Sequence, residues 1–333
     1  MTITKKKKVL EPNYFGLKNE MKKVIILQHG GGELANQLWT FANIYAYCLE
    51  KGFNCQNPSF FEYGQYFNIP IDNKMIYNIL FSKFRNHHQR RNHLKNKYWR
   101  FVYKIYAKIM VYLFKQKVVS SINKYNKKTY LSPTKENFYL NKLEKNLKPI
   151  YLIGWLFRNP EGLKKYRKEI IEYFRPKEIY TKPAETKINE LRSGYKNIVG
   201  VHIRQSDYKN YKGGNYYIPQ ERVRKILDEY LLKIGKNLDD TVFVVVSDGK
   251  IQENIFNELN IYINKGNPVE DLYILSLCDV IIGSNSTFGH FASYYGNISH
   301  IIFNNNHMDW NYYKDKNSFF ENKYSVMYKT SSR

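Results

Sequence analysis

The chain has 333 residues, 43% of them hydrophobic, so it is long enough to bury a full core and to divide into two α/β units. Lys and Arg outnumber Asp and Glu by 53 to 29, a formal charge of +24 that favours anionic partners such as nucleic acid, anionic lipid or phosphorylated small molecules. The three cysteines, Cys48, Cys55 and Cys278, form no C-x-x-C pair, which argues against a disulfide scaffold and a zinc site and fits a reducing, cytoplasmic setting.

Residues 1–20 read as a basic N-terminal extension; the run of lysines has no apolar stretch behind it, so no signal peptide is expected. No apolar stretch of about 18 residues occurs, so no membrane-spanning helix is expected either. The first element is "VIILQHGGGELANQLWTFANIYAYCLEKG". Val24 to Leu27 pattern as a buried strand and Gly30 to Gly32 break it. Leu34, Leu38, Phe41, Ala42, Tyr45 and Leu49 then recur at helical spacing until Gly52.

Residues 73–135 contain no Asp or Glu. Within them Trp99, Tyr103, Tyr106, Met110 and Phe114 fall near one helical face, with Arg100, Lys104, Lys108, Lys115 and Lys117 largely elsewhere. A basic amphipathic helix of this kind suits an anionic membrane surface, or packs its apolar face on its own domain. "YLIGWLFRNPEGLKKYRKEIIEYFRP" gives a strand, a turn and a charged helix ending before Pro176, and a polar joint is expected over 176–196. Strands and helices then alternate: "NIVGVHIR", "QERVRKILDEYLLKIGK", "TVFVVVSDG", helical "IQENIFNELN" and "EDLYILSLC", "DVIIGSN", and a helix from "TFGHFASYYG". That alternation points to parallel sheets with crossover helices, in two halves.

Polar clusters follow four of the expected strands. In "HGGGELANQ", glycines including Gly31 and Gly32 let backbone amides approach a ligand, with Asn36 and Gln37 as further hydrogen-bonding groups; a plain strand-to-helix turn explains them equally. In "VHIRQSDY", His202 and Arg204 share one face of a strand, and Arg suits a phosphate; the competing reading is an Arg204–Asp207 ion pair beside a core histidine. Ser247 and Asp248 end another strand, and Asn285, Ser286, Thr287 and Phe288 sit where a helix could be capped or a phosphate received. Asp271, near a helix start, is placed either by the helix dipole or by a guanine edge with paired N–H donors. Together the clusters describe a nucleotide-diphosphate site in a cleft between two α/β domains. No DxD-like pair demands a metal, and arginine with helix dipoles could carry the diphosphate charge.

The same segments resemble the α-1,2-fucosyltransferases of glycosyltransferase family 11. "GGGELANQ" is similar to that family's Gly-Gly-Leu-Gly-Asn-Gln opening, "HIRQSDY" to its His-x-Arg-Arg-Gly-Asp-Tyr motif, and "VFVVVSD" to its strand ending in Ser-Asp. "DLYILSLCDVIIGSNSTFGHFASYYG" is similar to its helix and "ANSTFSWWGA" segment. The resemblance covers roughly residues 24–296. It implies a GT-B type α/β fold of two Rossmann-like domains with a cleft between them: an acceptor-side domain over 21–180, carrying the basic insertion 73–135, and a donor domain over 195–325. It also implies GDP-L-fucose as donor, inversion at the fucose, and no metal or other cofactor.

On that resemblance Arg204 holds the β-phosphate, His202 and Asp271 contact the guanosine, Asn285 to Phe288 line the phosphate side, and Asn36 reaches across from the first domain. Arg204 and Asp207 are the expected catalytic residues, Asp207 as base or as a holder of Arg204. Gly31, Gly32, Ser247 and Asp248 complete the expected donor contacts. The acceptor implied is a terminal galactose of a surface glycan such as O-antigen or capsule, lipid-linked forms included, met at the inner membrane face. Departures are Gln205 and Ser206 for the usual Arg-Gly, and "GHFAS" for Ser-Trp-Trp-Gly-Ala. The rival expectations are another nucleotide sugar in the same fold, or a basic protein without catalysis that binds membranes, glycans or nucleic acid; no RNA-binding signature appears, and no nucleic-acid partner is expected.

Overall fold

The computed structural model describes residues 22–29, 32–69, 93–121, 129–131, 138–146 and 149–322. The expectations for the extension 1–20, for Gly31 and for much of the insertion 73–135 therefore lie outside the described residues. The first sheet has four strands, β1 (Lys23–Gln28), β2 (Asn54–Gln56), β3 (Val118–Ser120) and β5 (Ile150–Ile153), in the order β2-β1-β5-β3, all parallel. β4 (Thr129–Tyr130) and β6 (Phe157–Arg158) form a separate parallel pair. The second sheet has five strands, β7 (Asn197–Ile203), β8 (Thr241–Ser247), β9 (Ile261–Ile263), β10 (Val280–Gly283) and β11 (Ser299–Ile302). Their order is β11-β10-β7-β8-β9, again all parallel. Parallel sheets are covered on both faces, which is why these strands are written as unbroken apolar runs.

The chain leaves β1 through the glycine turn into α1 (Leu34–Lys51), ended by Gly52 in the left-handed region at φ 64°. The long α2 (His93–Leu113) lies on the outer face of the first sheet. There Tyr103 and Ala107 are buried with Ile25, Leu27 and Tyr151, and the Tyr103 hydroxyl donates to the Leu27 carbonyl at 2.7 Å. Tyr106, Met110 and Phe114 pack partly against the same patch, so the expected aromatic face covers its own domain. A second stripe on α2 faces outward: Tyr98, Phe101, Ile105, Ile109 and Tyr112 are exposed. After α3 (Phe138–Asn146) come β5, β6 and two short helices, α4 (Pro160–Lys165) and α5 (Arg167–Tyr173), where one charged helix was expected.

The stretch 176–196, expected as a polar joint, is mostly a 17-residue helix, α6 (Glu178–Gly194). Its polar composition and internal Pro183 hide it in the sequence, and burial of Tyr180, Thr181, Ala184 and Ile188 holds it in place. In the second half α7 (Gln220–Ile234) joins β7 to β8 on one face of the sheet. α8 (Pro268–Ser276) and α9 (Thr287–Gly296) cover the other. The helix expected over 251–260 is only a short 3-10 turn, Glu253–Phe256. One anchor, Phe256, is enough to pin so brief a segment, and β9 follows at once.

Neither half owns its inner core. Val24, Ile26 and Leu38 of the first half belong to one apolar cluster with Val244, Leu272 and Phe291 of the second. Trp39 of α1 sits at the seam, 1% exposed, with ring centroids 5.1 Å from Phe291, 5.3 Å from Tyr294 and 5.8 Å from Phe319. Its indole N–H donates to the Thr287 carbonyl at 3.0 Å. Arg167 of α5 donates to the Tyr294 and Tyr295 carbonyls at 2.9 and 2.6 Å, a cation at the carboxyl end of α9. Removing the indole leaves a cavity and deletes this hydrogen bond across the seam at once. Trp39→Ala is expected to cost about 3–5 kcal/mol, measured by urea unfolding; a loss under about 1 kcal/mol would show that the seam does not hold the halves together.

Candidate functional site

In the second sheet the chain leaves β7 toward β8 and leaves β10 toward β11, on opposite sides. The carboxyl ends of the neighbours β7 and β10 therefore bound a topological switch point, the place where open α/β sheets receive ligands. Arg204 is the first residue past β7. Its backbone N–H donates to the Ser284 hydroxyl at 2.9 Å, tying the β7 exit to the β10 exit. Its side chain is one-quarter exposed, and its Nε meets Asp207 Oδ1 at 2.8 Å and Asp248 Oδ2 at 3.1 Å. Burial works against the cation, but the Asp207 hydrogen bond and the Asp248 charge outweigh it and hold the pKa above the ordinary arginine value. The terminal guanidinium nitrogens have no protein partner among the described residues, so the fork of the side chain remains available. The Tyr208 ring lies 5.8 Å from the guanidinium, and the Tyr208 hydroxyl donates to the Asn285 carbonyl at 3.0 Å.

Asp248 and Ser247 shape this loop from the end of β8. Asp248 Oδ1 accepts the Gln205 N–H at 2.7 Å and the Ser206 N–H at 3.3 Å, and the Ser206 hydroxyl donates to Oδ2. Burial would raise the Asp248 carboxyl; the hydrogen bonds from Ser206 and Gln205 and the Arg204 charge bring it below the usual carboxylate range. Gln205 turns inward, donating to Ser247 Oγ at 2.9 Å and accepting from Gln220 Nε2 at 2.9 Å. The departure at this position thus faces the interior of the loop rather than the switch point.

At the β10 exit, Ser286 caps α9 by accepting the Phe288 N–H at 3.2 Å. Capping accounts for this hydroxyl oxygen, while its proton and the half-buried Thr287 stay at the helix start. Phe288 stacks on His202, ring centroids 5.1 Å apart at 29°. His202 is buried, its pKa lowered to about 3 by desolvation and the nearby Arg204, and its Nδ1 has no hydrogen-bond partner among the described residues. Beneath it lie two more buried histidines: His290, lowered by burial to about 4, and His300, lowered well below the ordinary value by burial and by its two neighbours. Gly289 makes this packing possible, because a Cβ there would sit 2.8 Å from His300 Cε1.

From the first half, Gly32 takes φ 83°, and a Cβ there would overlap the Asn36 side chain at 2.3 Å. Asn36 is half-buried, one turn ahead of Trp39 on α1 and so on the side that meets Thr287. Asp271 is not the cap of α8; Asn267 and Glu270 form the capping box there. Asp271 is buried and accepts Asn264 Nδ2 at 2.8 Å, at the carboxyl end of β9. Two strand spacings, roughly 10 Å, separate that end from Arg204. Among the expected site residues, then, Arg204, Asp207 and Asp248 are directly joined, Ser247 meets the same loop through Gln205, and His202 and Asn285 to Phe288 stand beside them, while Asp271 lies at the β9 end and Gly32 and Asn36 on the first half. The sequence reading missed Gln220, which supports Gln205, and the pair His290 and His300. His290 stood in plain view within "GHFAS", but its partner is on another strand.

A family model described as "Glycosyl transferase family 11" matches residues 103–327. No curated protein matches the sequence. Among solved structures, the chain is similar to NodZ α-1,6-fucosyltransferase soaked with GDP-fucose, at 14% identity and TM-score 0.50, covering 87% of this chain and 98% of that one. It is similar to an Arabidopsis thaliana FUT1 mutant in complex with GDP, at 13% identity and TM-score 0.50, covering 87% and 72%. Those likenesses concern the fold, which is the GT-B type, here with two parallel α/β sheets.

The three buried histidines make stability depend on pH. Their folded pKa values are depressed below the unfolded value of about 6.5. Below that value the unfolded chain takes up protons that the folded chain refuses, so stability is complete above about pH 6.5 and falls as pH drops toward about 4. Each histidine removes up to about 1.4 kcal/mol per pH unit in that window. Urea unfolding is expected to give a lower free energy at about pH 5.5 than at about pH 7; equal values would mean that the histidines are charged or solvated in the fold.

Proposed function

The chain belongs to glycosyl transferase family 11, and from that premise we propose that it transfers L-fucose from GDP-β-L-fucose to the 2-hydroxyl of a galactose in a surface glycan. Transfer inverts the fucose anomeric carbon and uses no metal ion. The observation that carries the reading is Arg204: a guanidinium at the switch point whose Nε is fixed by two carboxylates while its terminal nitrogens point to no protein partner among the described residues. That arrangement suits the bidentate grip of a phosphate. On this reading His202, stacked on Phe288, and Asp271, at the β9 end, take the guanosine side, and Asn36 and Gly32 approach the donor from the first half.

In the reaction the acceptor oxygen attacks C1 of fucose opposite the diphosphate. The C1–O bond to the β-phosphate breaks with its electrons going to GDP, the new C1–O bond forms, and the hydroxyl proton is released to solvent. Negative charge grows on the leaving diphosphate, and donors fixed in advance stabilise it most. Arg204, Thr287 and the amides of the first turn of α9 are those donors. Asp207, bound to Arg204 Nε, orients the guanidinium instead of acting as base.

Membrane association is part of the proposal. The outward stripe of α2 has Phe101 at 60% and Tyr112 at 83% exposure, beside exposed Lys104 and Lys108, in a segment without acidic residues. Apolar side chains flanked by lysines suit an anionic leaflet that carries a lipid-linked acceptor. Among the described residues no helix is long and apolar enough to cross a membrane.

Arg204→Ala, with its fold intact by circular dichroism, is expected to lower fucosyl transfer by at least ~10². Near-normal turnover would remove Arg204 from the reaction, and transfer from GDP-mannose in place of GDP-fucose would move the reading to another nucleotide sugar. Asp207→Asn is expected to weaken GDP binding while leaving the acid limb of the pH–rate profile in place; a flattened limb would make Asp207 the base. Binding to anionic vesicles is expected to weaken with salt and to disappear when Phe101 and Ile105 become Ser and Lys104 and Lys108 become Gln. Unchanged binding in that variant would assign the membrane contact elsewhere.

A further inference from the structure

Asn285 is half-buried at the β10 exit, among the residues that line the phosphate side of the site proposed above. Its side-chain Oδ1 lies 3.2 Å from His290 Nε2, and its Nδ2 has no protein partner among the described residues. His290 Nδ1 in turn lies 3.3 Å from His300 Nδ1, and His300 Nε2 is buried without a partner among the described residues. This is a linear chain of three side chains that starts inside the sheet and ends at the switch point. Burial keeps both rings neutral, so each carries one ring proton, and only two directions of the chain are possible.

In the first direction His300 Nδ1–H donates to His290 Nδ1, and His290 Nε2–H donates to the Asn285 carbonyl oxygen. The Asn285 amide NH2 then faces the site as a donor, and His300 Nε2 is left as a bare acceptor. In the second, His290 donates to His300 Nδ1 and must accept the Asn285 NH2. The Asn285 carbonyl oxygen then faces the site, and His300 Nε2–H is stranded as a buried donor. Among buried backbone groups a stranded N–H is the rarer of the two defects, and an outward carbonyl would oppose a diphosphate. We infer that His290, with its tautomer set by His300, is a positioning residue that orients the Asn285 amide so that its NH2 is presented to the donor's diphosphate.

The inference rests on the donor reading. The Gly289 backbone that fits between His202 and His300 brings the ring of His290 within reach of both partners. The role is orientation at one remove; His290 itself is buried and touches no ligand.

Two measurements on the full chain test it. Long-range 15N–1H correlation spectra of histidine-labelled protein report the tautomers directly: His290 protonated at Nε2 and His300 at Nδ1 are expected, and His290 protonated at Nδ1 overturns the inference. Calorimetry of GDP binding with EDTA present supplies the functional arm. His290→Phe is expected to weaken GDP binding roughly ten-fold, about the worth of one hydrogen bond to a charged group, and His290→Gln to recover most of that loss. In an Asn285→Ala background the His290→Phe effect should vanish, because the group being oriented is gone. Additive losses in that cycle would overturn the positioning role and leave the donor reading standing. No GDP binding by the unaltered protein would overturn the donor reading itself, and the orienting role with it.

Discussion

The site depends on how one guanidinium is held. A half-buried arginine is stable only if its charge is answered, and answering it fully would leave nothing for a ligand. Here both carboxylates meet Arg204 at Nε, so the cation is compensated on one edge and open on the other. The anchors come from three neighbouring strand ends: Asp207 from the loop after β7, Asp248 from the end of β8, and Ser284 from the end of β10. Parallel pairing of those strands brings the three groups together with no long loop required. The sheet thus acts as a template for a charge geometry, and the loop after β7 is laced to it by Gln205 and Ser206.

A second constraint is the shared inner core. Trp39 packs on Phe291, Tyr294 and Phe319 while its N–H reaches Thr287, the first residue of α9. The start of α9 is also where Asn285 to Phe288, assigned to the phosphate side in the proposed function, lie. Burial of an aromatic seam therefore fixes the distance between the glycine turn of the first half and the helix start of the second. The same apolar contacts that stabilise the chain would also set the width of the proposed site.

Much of this was legible in the sequence, because the signals were local. Unbroken runs such as "VFVVV" and "VIIG" mark parallel strands, and polar residues at their ends mark the carboxyl edge of a sheet. Arg204 and Asp207, three residues apart, were readable as either a clamp or an ion pair, and they form the ion pair with the clamp's fork still open. What escaped was non-local. α6 is polar and contains Pro183, so only tertiary burial defines it. The aromatic face of α2 was placed correctly in period, but a second stripe on the same helix is the one exposed. Gln205 reads only as a departure from the related motif, because its inward hydrogen bonds to Ser247 and Gln220 join separate elements. The pairing of His290 with His300 joins a helix to a strand, which no local pattern records.

The most direct test of the account is calorimetry of GDP-fucose, GDP-mannose and UDP-galactose with the full chain in EDTA, repeated with Arg204→Lys. Lysine keeps the charge but loses the fork. The account predicts metal-free binding of GDP-fucose, weaker or no binding of the uridine nucleotide, and a clear loss with Arg204→Lys. Equal binding of all three sugars, or binding untouched by the substitution, would contradict it.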